Sequence, residues 1–259
     1  MQGNLYGVSD DDEKVHGEHV SRMVAFYSRT SRQYNAWHWD QKNRSCHDFA
    51  VGEILKTMKE VGGVSLLDVA CGTGRATRAA LDNGFDAMGL DIAPSLLEIA
   101  HQQLGIPRNR LIQGDATMLP FSENRFDCSC ILGALHHTAQ PHKIIAEMVR
   151  VTNKAIIVSD EANHLSGGLK HILTKLRLFK PVYRLLFRRP PRTYRRQQTS
   201  DTDGPTFDFS IEEIIPNLKS AFARFRCLTF YQVGPYQICS YNFPRLLAKQ
   251  GVVVVNSKR

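Results

Sequence analysis

The sequence predicts an α/β protein: a doubly wound, mostly parallel sheet of seven strands with helices on both faces. Three observations carry this. From residue 64 to residue 160, short apolar runs alternate with helix-like stretches, the rhythm of parallel strands joined by crossover helices. The first of these runs ends in a glycine-rich turn that opens a helix. A length of 259 residues, 42% hydrophobic and 22% charged, suits one large domain, or one domain with an inserted cap, and excludes disorder as the main state.

Residues 1–14 are polar and acidic, which predicts a loose tail and no secretory leader. Residues 15–58 have helical spacing, with Phe26, Tyr27, Tyr34, Trp37 and Trp39 along them. Residues 64–70 (VSLLDVA) form a continuous apolar run, as a strand buried on both faces requires. A helix follows over 75–83, stopped by Gly84. Residues 85–91 (FDAMGLD) are the second strand, and a helix starts at Pro94 and runs to about Leu104. The third and fourth strands fall at 110–114 and 126–132. A helix at 142–151 and a fifth strand at 154–160 (KAIIVSD) come next.

After residue 160 the alternation stops. Residues 162–200 hold ten basic residues and no acidic one, while the whole chain has a net charge of +8. The basic character therefore belongs to this segment alone. An acidic, turn-rich loop is expected at 201–208 (DTDGPTFD), a helix at 211–222, and strands near 225–233 and 236–243. The valine run at 252–255 reads as an edge strand. No apolar run approaches the ~18 residues of a membrane-spanning helix. The six cysteines form no C-x-x-C pair and most lie in strand-like runs, which predicts a reduced, cytoplasmic chain. Cys128 and Cys130 share one strand face and read as core residues.

The sharpest local signal is LLDVACGTGRAT, with Asp68, Ala70, Gly72 and Gly74 at alternating positions. Glycines let backbone turn tightly and approach a ligand where a Cβ would clash. A dinucleotide fingerprint would need a third glycine where Thr77 stands, and no G-K-[ST] phosphate loop exists. Asp91 ends the second strand, where a carboxylate can accept two hydrogen bonds from ribose hydroxyls. The segment QGDATMLPF brings Asp115 and Ala116, and the fourth strand is followed by Leu135, His136, His137 and Thr138.

Residues 67–74 resemble the first motif of class I S-adenosylmethionine-dependent methyltransferases. The likeness extends from about residue 62 to 160, and more loosely to 243. FYSRTSRQYNAW looks like the aromatic N-terminal helix of small-molecule members, the ubiquinone and menaquinone methyltransferases among them. The resemblance implies a Rossmann-like core at 61–160, behind an N-terminal helical cover at 1–60. A basic insertion or lid would follow at 161–210, with completion of the core sheet at 211–259. It implies S-adenosyl-L-methionine as cofactor. Gly72 and Gly74 would pass under its methionine part, with Ala70 in the same loop and Asp68 facing the ammonium side. Asp91 would hold the ribose, Ile92 would line the adenine pocket, and Asp115 and Ala116 would face the adenine edge. Leu132 and Gly133 would pass beside the sulfonium.

One of His136 and His137, with His137 ahead, would be a general base; the other reading is that they shape the pocket. Tyr27 and Tyr34 either close over the cofactor and acceptor or pack in the core. No metal is expected: Asp160, Glu161 and Asn163 stand where catechol-type members bind Mg²⁺, but Gly133 and Ala134 replace the carboxylate needed after the fourth strand. The missing [DN]-P-P-[FY] and Pro-Cys signatures argue against base methylation. The expected acceptor is a small molecule, lipid- or saccharide-linked. Peripheral contact with an anionic membrane through residues 165–197 is also expected. The alternatives are an RNA methyltransferase using the same charges, and a cofactor-binding regulatory protein without turnover.

Overall fold

Two long helices lead the chain. In the computed structural model, which describes residues 10–39, 41–161, 197–200, 204–207, 209, 211–233, 236–240 and 250–258, they are α1 (Asp10–Trp39) and α2 (Gln41–Glu60). The basic insertion over 162–196 lies outside the described residues. Strands and helices then alternate as the apolar rhythm predicts: β1 (Ser65–Val69), α3 (Arg75–Asp82), β2 (Asp86–Asp91), α4 (Pro94–Leu104), β3 (Leu111–Gln113), β4 (Phe126–Leu132), α5 (Pro141–Val151) and β5 (Thr152–Glu161). Beyond the insertion come β6 (Gln197–Ser200), β7 (Gly204–Phe207), α6 (Ile215–Ala221), β8 (Phe222–Val233), β9 (Tyr236–Ser240) and β10 (Gln250–Lys258).

The main sheet has the order β3-β2-β1-β4-β5-β10-β8-β9. Its first five strands are parallel. Strand polarity of burial explains the continuous apolar runs. In β1, Leu67 and Val69 join a core cluster with Ile144, Ile145 and Met148 of α5 and Leu218 of α6. Leu66 joins the opposite cluster, with Ile54 and Met58 of α2 and Ala76 and Ala80 of α3. β5 divides likewise, Ile156 and Val158 to one side, Ala155 and Ile157 to the other. Each side chain so buried contributes about 1.5–3 kcal/mol for the larger aliphatics. Cys128 and Cys130 lie fully buried in the second cluster, as core residues.

Three expectations need correction. Among the described residues the sheet has eight strands, not seven, and residues 252–255 lie inside it, not at an edge. β10 pairs antiparallel with β5 on one side and β8 on the other. Val254 and Val255 bury on opposite faces, one into each core cluster, which an edge position would not use fully. The loop expected at 201–208 instead supplies part of a two-stranded antiparallel hairpin, β6 with β7. The helix expected over 211–222 is shorter: a 3-10 turn, Ile211–Glu213, precedes α6, which has Pro in its first turn.

The sheet order reverses between β1 and β4, and the carboxyl ends there open the crevice in which ligands of such sheets bind. α1 lies beside this crevice, packed on α4 through Met23, Tyr27, Ala93 and Leu96.

Candidate functional site

The loop after β1 is built by backbone that a side chain would resist. Gly72 and Gly74 have φ of 56° and 80°, the left-handed region. At Gly74 a Cβ would also stand 2.4 Å from Ile106 Cδ1 and 3.1 Å from Ala100 Cβ. Gly74 is thus the point where the loop packs on the end of α4, and it is not in the lining of the two cavities described below. Asp68 fixes the other side of the loop. Its Oδ2 accepts the Thr77 N–H at 2.9 Å and the Thr77 hydroxyl at 2.7 Å, capping the first turn of α3 from the strand. Burial pushes the Asp68 carboxyl up to about 6, although these bonds and the Cys130 thiol oppose the rise.

Asp91 closes the loop from β2. Its Oδ2 accepts the Gly72 N–H and its Oδ1 the Ala93 N–H, each at 2.8 Å. Burial raises this carboxyl above its ordinary value, and the two backbone donors offset only part of the rise. A carboxylate so placed gains from further hydroxyl donors.

A cavity opens here. Tyr27, Ala70, Gly72, Asp91, Ile92, Asp115, Ala116, Leu132, Gly133 and His137 are in its wall. A second is lined by Asp68, Cys71, Thr73 and Arg75. The two share Tyr34, Ala70, Gly72 and Leu132, so they adjoin and make a groove along the glycine loop. Nearly all the site residues expected from the sequence therefore meet in one place. The Tyr27 and Tyr34 rings touch edge to face at 5.1 Å, and both residues line the larger cavity.

Asp115 is occupied in a way the sequence did not suggest. Its Oδ2 accepts a bond from His16 Nε2 at 2.7 Å, and its Oδ1 accepts the Thr117 N–H and hydroxyl, each at 2.8 Å. Burial alone would raise this carboxyl, but these donors outweigh it and hold it at about 2. His19, one turn along α1, donates from Nε2 to the His137 carbonyl, and burial holds its imidazole below the ordinary value. Both histidines line the larger cavity. Only the aromatics of this helix had stood out in the sequence, yet a histidine pair three apart on one face was a legible signal.

His136 and His137 diverge. His137 lines the cavity; His136 does not. His137 Nδ1 lies 2.9 Å from the Pro205 carbonyl of β7. A carbonyl can only accept, so the ring donates from Nδ1 and, when neutral, keeps its lone pair on Nε2. His136 Nδ1 donates to Asp160 at 2.8 Å. Asp160, considered from the sequence as a metal ligand, is thus engaged by the turn that follows β4.

The buried Asp91 carboxylate and the left-handed glycine at 72 thus lie in the wall of one cavity with His137. A family model described as "Methyltransferase domain" matches residues 67–157. The demethylmenaquinone methyltransferase of Renibacterium salmoninarum is 32% identical over 124 residues, covering 47% of this chain and 52% of that protein. That of Paenarthrobacter aurescens is 38% identical over 99 residues, 38% of each. The chain thus spans about half or less of the length of these curated relatives. Among solved structures, a SAM-dependent methyltransferase from Thermotoga maritima, titled a possible histamine N-methyltransferase, superposes with a TM-score of 0.57 at 17% identity, covering 90% of this chain and 98% of that one. Magnesium protoporphyrin IX methyltransferase from Synechocystis PCC 6803, with bound SAH, gives 0.58 at 16% identity over 92% of this chain and 100% of its own. At such identities these two show the shared fold. The glycine loop and Asp91 both fall inside the stretch, 67–157, over which the chain matches a methyltransferase domain.

Proposed function

We propose that the chain transfers a methyl group from S-adenosyl-L-methionine to a small-molecule acceptor, and that the acceptor is a quinone-type ring. The carrying observation is the single groove that joins Asp91 and the glycine loop to His137. The acceptor class is drawn from the names of the relatives, demethylmenaquinone methyltransferases. Bound in the groove, the cofactor supplies an electrophilic methyl group on a sulfonium. Asp91 takes the ribose hydroxyls, Ile92 and Ala116 flank the adenine, and Gly72 and Ala70 leave room for the methionine part. Asp68 faces its ammonium. Leu132 and Gly133 border the reacting centre. His137 accepts the acceptor's proton at Nε2, while His136 shapes the turn. Residues 1–60 act as a cover through Tyr27 and Tyr34, which exclude water. Residues 61–160 and 211–259 form the core, and the basic 161–210 segment brings a lipid-linked acceptor from an anionic membrane surface in the cytoplasm. Among the described residues, no helix is long and apolar enough to cross a membrane.

The test supplies methyl-labelled cofactor with reduced demethylmenaquinone in neutral or anionic vesicles, and with RNA. Label should enter the quinone, faster from anionic vesicles at low salt and slower as salt screens the surface. Label in RNA, or a cofactor bound and never consumed, would overturn the reading.

The Asp68 role predicts a pH dependence. Its carboxyl sits at about 6 in the fold, above the ordinary 3.8, chiefly because it is buried. In the ligand-free protein, the stability due to this group is present below 3.8 and lost as pH rises through about 6. A cationic ammonium needs the ionised form, so affinity for S-adenosylhomocysteine should tighten between pH 5 and pH 7. Calorimetry on Asp68→Asn should show this pH dependence removed; the same slope in the variant would assign it to another group.

A further inference from the structure

The turn that carries His137 is gripped from behind by a residue with no part in the cavity wall. β4 and β5 run parallel with Leu132 opposite Ser159. The chain leaving β4 stays pinned to β5, since the Gly133 N–H donates to the Ser159 carbonyl at 2.6 Å. Next along β5, the Asp160 carboxylate takes over. Its Oδ2 accepts the Leu135 N–H at 2.7 Å and its Oδ1 accepts the His136 Nδ1–H at 2.8 Å. The Asp160 side chain is 0% exposed and that of His136 11%. The His136 ring rests on the His137 ring, with centroids 4.2 Å apart and planes tilted by 40°.

The chemistry of this grip is selective. A buried carboxylate is costly to keep unless its oxygens are satisfied, so an unspecific brace would use a neutral group. A carboxamide could accept the Leu135 N–H, but its other end is a donor and would face the His136 ring with the wrong polarity. Only a carboxylate accepts from both at once. It therefore fixes the Nδ1–H form of His136, and with it the plane of the ring on which His137 lies. The far side of His137 is fixed by the Pro205 carbonyl, and its backbone oxygen by His19.

We propose that Asp160 is a positioning residue for His137, acting through the Leu135 N–H and the His136 ring to hold the Nε2 face of His137 toward the reacting centre. This rests on the methyl-transfer reading above, in which His137 is the base.

The test uses the full chain with S-adenosylhomocysteine and reads the imidazole ¹⁵N signals. In the wild type, His136 and His137 should both be protonated at Nδ1. In Asp160→Asn, the His136 proton should move to Nε2 and the His137 signals should lose their single-tautomer pattern. Affinity for S-adenosylhomocysteine should hold, because Asp160 lies outside the groove wall. Turnover of reduced demethylmenaquinone should lose on the order of 10- to 100-fold in kcat with KM retained, the scale of a small misplacement of a reacting group. Unchanged His137 signals, a wild-type His136 protonated at Nε2, or loss of cofactor affinity in step with kcat would each overturn the proposal. If melting shows that Asp160→Asn does not fold, His136→Gln keeps an N–H toward Asp160 and removes the ring. Its His137 signals should change in the same way, and unchanged signals overturn the proposal. Should no acceptor be turned over by the wild type, the methyl-transfer reading fails, while the ¹⁵N signals still decide whether Asp160 governs His137.

Discussion

Asp91→Ala is expected to weaken S-adenosylmethionine binding by about 1.5–3 kcal/mol, the range for hydrogen bonds to a charged group, which is roughly 10- to 150-fold in Kd. Two losses combine. The ribose hydroxyls lose their acceptor, and Gly72 and Ala93 lose the carboxylate that ties the glycine loop to the start of α4. The fold should survive, because Asp91 ends β2 at the carboxyl edge of the sheet and the core clusters do not include it. Asp91→Asn separates the two losses. A carboxamide can keep one of the two backbone N–H bonds and one ribose bond, so its affinity should fall between wild type and Asp91→Ala. Calorimetry with S-adenosylhomocysteine, beside a thermal melt of each variant, measures this. An unchanged Kd in Asp91→Ala would leave the residue as no more than a tie for the loop.

The parts of this molecule that could be read from sequence are those in which local chemistry and tertiary placement agree. Strand runs such as VSLLDVA are apolar at every position because both faces of the sheet are covered, and their ends coincide with the observed strands within a residue or two. The glycine loop and Asp91 were legible because left-handed backbone calls for glycine and two backbone N–H groups, of Gly72 and Ala93, call for a carboxylate at the end of β2. Position within the sheet was not legible for residues 252–255. Four valines declare a strand, read from the sequence as an edge strand, and nothing local says that β5 and β8 flank it. The β6 and β7 hairpin was hidden for a different reason: DTDG has turn chemistry, and the strands on either side of it are only four residues long. That omission concealed Pro205, whose carbonyl sets the proton position of His137. His16 and His19 were passed over because a histidine on a helix has many ordinary uses. Only the fold brings them to Asp115 and to the turn after β4. At Gly74 the fold adds its own demand for glycine, a left-handed backbone packed against Ile106 and Ala100.

Removing His137, the proposed base, should have the larger effect on rate. His137→Ala is expected to lower kcat by about 10²- to 10⁴-fold, the usual contribution of a positioned general base, with cofactor affinity close to that of the wild type. His137→Ala also deletes the Nδ1–H bond to Pro205 and the ring beside His136, so a loss there could come from a displaced turn. His137→Asn distinguishes the cases. Its carboxamide N–H can take the place of Nδ1–H on the Pro205 carbonyl, while no atom replaces Nε2. If Nε2 removes the acceptor's proton, His137→Asn should be as slow as His137→Ala, although its turn is intact. Free imidazole should restore part of the rate in His137→Ala, where the ring has left a space on the groove wall. Single-turnover rates with reduced demethylmenaquinone and saturating S-adenosylmethionine isolate the chemical step from product release. A His137→Asn enzyme within a few-fold of wild type would make the ring a wall of the pocket, and the proton would then have to leave to another group or to water.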